Sequence, residues 1–236
     1  MTLPATQPAG LLLFDKPKGI TSHDAVGLLR KKLSFRRIGH TGTLDPMATG
    51  LLVMLVGAAT SAQERLQGSS KTYSGTIMFG SETDTWDAEG KVTETAAIPD
   101  LAPEIVARTV EIFSGKIIQQ VPPYSAIRVG GKHLYALARK NLAAVPEIKR
   151  EVQVRWLSWE VKNCTLQFEI ECSGGTYLRS IAREFGLALG SRAHLAVLRR
   201  LTIGSWSVAD AISAEELEKL PLEGVLAKLR PAPAAL

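Results

Sequence analysis

The sequence predicts an α+β fold. Short apolar strands and amphipathic helices both occur, and they do not follow a regular βαβ rhythm. The 236 residues can bury a core without disulfide or metal staples. A content of 45% hydrophobic and 22% charged residues excludes a mostly disordered chain.

The elements follow in order. Residues 1–9 are expected to form a flexible tail. Residues 10–14 (GLLLF) read as a buried strand, stopped by Asp15, Pro17 and Gly19. Thr21 or Ser22 caps a helix that Val26, Leu29 and Leu33 continue, with Arg30, Lys31 and Lys32 in its last turns. Residues 36–46 form a Gly/Thr-rich loop. GLLVMLVG is a strand, and the apolar run over 50–60 is too short to cross a membrane. Residues 58–66 suit a short helix, 71–80 a strand, and 81–90 a polar turn. An amphipathic helix over 103–113 precedes a strand over 116–121, which Pro122 and Pro123 halt. Residues 132–141 suit a helix. Residues 151–171 contain two strands that turn near Asn163. Gly174 and Gly175 break the chain before a helix over 176–189. Residues 194–204 and 206–209 are strand-like, and 215–220 and 222–229 are short helices before a Pro/Ala tail at 231–236.

The amino terminus lacks the basic and apolar regions of a signal peptide. Cys164 and Cys172 lie at no metal or disulfide-framework spacing, and CxxC and HExxH do not occur, so no metal is expected. A reducing cytoplasm fits by elimination. Net charge is +5 but uneven: residues 15–37 carry seven basic and two acidic side chains, residues 128–150 six and one. Acid gathers at 82–94 and 210–223. Segregation of this kind points to a polyanion such as nucleic acid, or to solvated helix faces.

Residues 36–50, RRIGHTGTLDPMATG, carry the strongest chemical signal. Gly39, Gly42 and Gly50 permit tight turning or close approach. Pro46 biases Asp45 toward an extended backbone, so its carboxylate projects from a loop between strands. The competing reading is an Asx-turn or helix cap. The glycines are followed by no Gly-Lys-Ser/Thr, so this is no phosphate loop.

This segment closely resembles the catalytic motif of the TruB family of tRNA pseudouridine synthases. GLLLFDKPKGITSHD, KTYSGTIMFGSETDTWDAEG, VPPYSAIRVGGKHLYALAR, CSGGTYLRSIAREFG and HLAVLRRLTIGSW resemble the family's other motifs, in family order, over residues 10–209. The resemblance implies a mixed, largely antiparallel sheet with flanking helices and RNA-binding loops, in a catalytic domain over 10–230. It implies isomerisation of uridine to pseudouridine at position 55 in the tRNA T arm, by base flipping and without cofactor or metal. Asp45 is then the essential carboxylate, as nucleophile at C1′ or as base toward a glycal.

Arg179, in GTYLR, matches the arginine that pairs with that aspartate, though alone it reads as a surface helix residue. Tyr73, in KTYSG, matches the aromatic that packs on the base, and could otherwise be a core tyrosine. Leu198 matches a pocket-lining residue, or is simply core. His40 matches the histidine that enters the space of the flipped base, or is a turn histidine. Lys16 contacts phosphate or makes a structural salt bridge. Asp87 supports a loop or pairs with a cation. Lys132, Arg139 and Lys140 are the phosphate contacts of an RNA-gripping segment whose Gly130 and Gly131 suit a loop that orders on RNA.

Arg128 and Glu89 stand where lysine and aspartate are usual. A complete C-terminal RNA-binding domain of the PUA kind, which many members carry, is not expected. The implied partner is tRNA, with no membrane and no obligate protein partner, for a monomer. A chaperone that folds tRNA without turnover is the alternative. A nucleoside hydrolase is weaker, because it lacks a second carboxylate placed by motif.

Overall fold

The computed structural model describes residues 8–140 and 145–232. Most of both expected tails and Asn141, the end of the expected 132–141 helix, lie outside the described residues. In chain order the elements are β1 (Gly10–Lys16), α1 (Ser22–Leu33), β2 (Ile38–Thr41), β3 (Thr49–Val56), α2 (Gln63–Gln67), β4 (Lys71–Phe79), β5 (Ser81–Thr83), β6 (Val92–Thr95), α3 (Pro103–Ile112) and β7 (Gly115–Gln120). There follow β8 (Arg128–Val129), β9 (Lys132–His133), α4 (Leu134–Ala138), β10 (Lys149–Lys162), β11 (Thr165–Cys172), α5 (Leu178–Ala188), β12 (Ala193–Ile203), β13 (Trp206–Ser207), β14 (Ile212–Ser213), α6 (Ala214–Lys219) and α7 (Leu222–Ala227). The class is α+β, as the sequence predicts. No helix among the described residues is long and apolar enough to cross a membrane.

The span read as one domain divides into two compact units: residues up to Tyr73 with those from Leu198 onward, and Ser74–Val197. In the first unit the strands run in the order β14-β1-β3-β12, with β2 bonded to β3 and β13 to β12. β1 and β3 are antiparallel from Gly10↔Val56 to Lys16↔Gly50. β12 joins β3 in parallel, with Arg200 beside Gly50. Leu12, Phe14, Leu52 and Met54 pack with Val26 and Leu29 of α1, while Leu11, Leu13, Leu51, Val53 and Leu55 pack with Ile203. Burial on both faces is why these strands read as unbroken apolar runs instead of alternating ones. Each fully buried leucine contributes about 2 kcal/mol. Thr21 and Asp24 form a capping box at the start of α1, the cap the sequence suggests.

In the second unit the order is β4-β11-β10-β7. β10 and β11 are antiparallel and turn at Asn163, whose φ is +54°. Phe185 of α5 lies within 5.6 Å of the Phe113 ring, 5.7 Å of Trp156 and 6.2 Å of Phe79, so α5 is anchored by an aromatic cluster.

Three segments differ from the sequence reading. Residues 38–41 form β2, because antiparallel pairing with β3 imposes a strand on a Gly/Thr-rich stretch. The expected turn over 81–90 starts as β5, which pairs with the exposed β6. The expected 132–141 helix yields its start to a hairpin: Gly130 and Gly131, at φ +55° and +79°, form a tight turn between β8 and β9, and α4 keeps five residues.

Candidate active site

In the first unit the chain leaves β2 at Gly42 and re-enters the sheet at Thr49. Asp45 lies midway, half-buried. Its backbone carbonyl accepts the Ala48 N–H at 3.1 Å, closing a β-turn with Pro46 at its second position. The residues on either side are fixed. The buried Ser22 hydroxyl accepts the Leu44 N–H at 2.9 Å and donates to the Leu44 carbonyl at 3.2 Å. The Pro46 carbonyl accepts the Gly19 N–H at 2.9 Å and the Lys16 ammonium at 3.4 Å. Lys16 is fully buried and also donates to the carbonyls of Pro17 and Ile20, so it has a structural part in shaping this turn.

Tyr73 on β4 and Leu198 on β12 are both buried. Between the loop and Tyr73 runs Arg200, which the sequence reading did not single out. Its Nε donates to the Leu51 carbonyl at 2.7 Å and its Nη2 to the Gly42 carbonyl at 3.1 Å. Nη1 lies 3.5 Å from the Tyr73 hydroxyl, and the guanidinium carbon 6.0 Å from that ring's centroid. Gly50 permits this arrangement. At φ +103°, an added Cβ would lie 2.2 Å from the Arg200 carbonyl oxygen. The neighbouring Arg199 turns the other way and clasps Asp15 with two bonds of 2.7 and 3.0 Å. A signal for Arg200 was present: two residues after Leu198 on a strand, it shares that residue's inward face.

His40 is half-buried on β2, opposite Met54. Burial first, and the Arg200 cation next, hold its pKa below the ordinary imidazole value. Its Nδ1 is buried with no hydrogen-bond partner among the described residues. A simple turn histidine does not describe it, because it belongs to a strand.

Arg179 belongs to the second unit, at the start of α5, and is 5% exposed. It is not a surface helix arginine. Nη1 donates to the Thr85 carbonyl at 3.1 Å and Nη2 to the Tyr124 carbonyl at 3.2 Å. The Asp87 carboxylate stands 3.7 Å from Nη1. Asp87 meets both readings offered for it, since it also accepts the Thr85 hydroxyl at 2.6 Å and the Glu89 N–H at 3.0 Å. Trp86 in this loop has φ +63°, a conformation bulky residues avoid, and Arg183 stacks over its ring at 4.8 Å. Gln119, also unflagged by sequence, sets the start of α5. Its amide accepts the Tyr177 N–H at 2.7 Å and donates to the Tyr177 carbonyl at 3.3 Å.

The β8–β9 hairpin and α4 of the same unit carry Lys132 in β9, with Arg139 and Lys140 exposed just after α4. The Arg139 guanidinium sits 5.5 Å from the Tyr135 ring, and His133 stacks on that ring at 5.2 Å. Exposed cations beside a flat ring can contact phosphate and bases.

The family described as TruB family pseudouridylate synthase (N terminal domain) matches residues 30–178. The tRNA pseudouridine synthase B of Opitutus terrae is 42% identical over 98% of this chain and 96% of its own length. That of Aquifex aeolicus is 43% identical over 88% of this chain and 72% of its own. A solved chain from a Cbf5-Nop10-Gar1 complex matches the fold with a TM-score of 0.69 at 24% identity. The match covers 94% of this chain and 60% of that one. By the matched family and by identity along nearly its whole length, this chain belongs to the TruB family of pseudouridylate synthases.

Proposed function

We propose that this enzyme isomerises uridine to pseudouridine at position 55 of the tRNA T arm, with Asp45 as the essential carboxylate. The observation that carries the reading is the mounting of Asp45. The residue is half-buried and so keeps some access to solvent, while the residues before and after it are tied to Ser22, Gly19 and Lys16. A reacting carboxylate needs that combination of access and fixed position.

In this reading the N1–C1′ bond breaks, the uracil turns, and C5 bonds to C1′. C5 then gives up its proton and N1 gains one, so the atoms balance without redox change. Tyr73 packs on the base, Leu198 lines its pocket, and Arg179 is the substrate-binding cation. His40, held largely neutral at pH 7 by its lowered pKa, stacks as a flat imidazole in the space the base leaves. Lys132, Arg139 and Lys140 contact phosphates of the T stem-loop. The enzyme acts on tRNA in the cytoplasm, as a monomer, through one catalytic domain over residues 10–230.

The test is tritium release from unmodified tRNA transcript labelled at C5 of uridine. Wild type is expected to release label from the T arm. Asp45→Asn is expected to bind tRNA and lose about four orders of magnitude in rate. A well-folded wild type that binds tRNA and releases nothing overturns the reading in favour of a tRNA-folding chaperone.

A further inference from the structure

Among the described residues, Arg200 is the largest side chain with under 2% exposure. Its hydrogen-bonding partners are two backbone carbonyls and a phenol, with no carboxylate. A buried guanidinium with only neutral acceptors is costly, and a well-packed apolar side chain would serve packing better. The adjacent Arg199, which turns the other way from the same strand, is given a carboxylate, Asp15 of β1. Among the described residues the charge of Arg200 thus has no ion-pair partner, and it is felt at His40, whose pKa it helps to lower.

We propose that Arg200 is a positioning residue for the isomerisation, tying the Gly42 end of the Asp45 loop to the Tyr73 hydroxyl and directing positive charge at that oxygen while the proton leaves C5. This rests on the function proposed above and adds a residue that the family resemblance did not name. Once C5 has bonded to C1′, C5 carries a hydrogen and C6 is doubly bonded to N1. Breaking C5–H moves its electron pair into C5=C6, and the C6=N1 pair takes up a proton from solvent at N1. The proton from C5 passes to the Tyr73 oxygen, which has released its own to solvent. A guanidinium N–H facing that oxygen stabilises the negative charge it then bears.

The experiment uses full-length Arg200→Gln, Arg200→Lys, Tyr73→Phe and the double variant Arg200→Lys/Tyr73→Phe. Single-turnover rates are measured on tRNA carrying protium or deuterium at C5, with tRNA affinity and thermal melting alongside. Arg200→Gln is expected to slow turnover about 100-fold, with affinity within about threefold. The C5-deuterium effect should rise above wild type, because proton removal now limits the rate. Lysine, which keeps the charge without the fork, should recover about tenfold. In the Tyr73→Phe background, Arg200→Lys should cost less than about twofold, since its effect acts through the hydroxyl.

A wild-type rate in Arg200→Gln overturns the proposal. So does a slow variant whose isotope effect matches wild type, or an Arg200→Lys loss undiminished in Tyr73→Phe. If Arg200→Gln gives no cooperative melt, the lysine pair decides by the same two criteria. Inactive wild type would overturn the parent function, whereas active wild type with indifferent Arg200 variants overturns only this inference.

Discussion

The 36–50 segment and the 128–140 segment are both rich in glycine and cations, yet they are built in opposite ways. The first is bonded at nearly every turn to buried groups: Ser22, Lys16, Arg200 and the edge of β3. The second is a two-residue-turn hairpin and a five-residue helix whose rings and cations stack on one another at the surface. The contrast separates two tasks. Bond-making chemistry requires an atom fixed to within about half an ångström. Contact with a phosphate backbone tolerates looseness, because its attraction is long-ranged and non-directional.

Substitutions can break or sharpen this contrast. The largest effect is expected from Gly50→Ala, where a methyl group would overlap the Arg200 backbone at a positive φ. Denaturant melts should show a loss of about 3 kcal/mol or more, while Gly130→Ala, whose added Cβ meets nothing within 4 Å, should cost far less. Next comes Ser22→Ala, which strands the Leu44 N–H and C=O in a buried place. It should cost about 1–3 kcal/mol and lower the turnover rate about tenfold, with tRNA affinity nearly unchanged.

Alanine at Lys132, Arg139 or Lys140 should do the reverse. Each should weaken tRNA binding a few-fold and reduce the slope of log affinity against log salt by about one, with single-turnover rate at saturation preserved.

The smallest effect concerns His40. Its folded-state pKa lies below the ordinary 6.5, so the unfolded chain takes up the proton first as pH falls. Stability contributed by keeping His40 neutral is therefore present above about pH 6.5 and lost as pH drops toward the folded value. Melts of His40→Asn should show a shallower decline below pH 6.5 than wild type.

Much of this arrangement was legible in the sequence. β1, β3, α1 and α5 announce themselves by apolar runs, caps and helical spacing, whereas Asp45 stands out through the resemblance of its segment to the family's catalytic motif, its Asp-Pro step alone reading more readily as a turn. β2 was not legible, because Ile38 is its one large apolar residue and pairing with β3 makes it a strand. The β5–β6 hairpin is hidden by polar composition, all four residues of β6 being exposed. Arg200 was concealed by its own chemistry. An arginine doublet reads as surface, and only the period-two face shared with Leu198 reveals that one of the pair points inward.

Gly50 has a consequence beyond local space. Sliding β12 by one residue along β3 would set the Arg200 backbone beside Thr49 or Leu51, both of which carry a Cβ. It would also exchange the faces of Arg199 and Arg200, taking one from its carboxylate and the other from its carbonyls. The single missing side chain therefore acts as a keyway: the two strands fit at one offset, and the arginine doublet, ambiguous by itself, is read in one phase only.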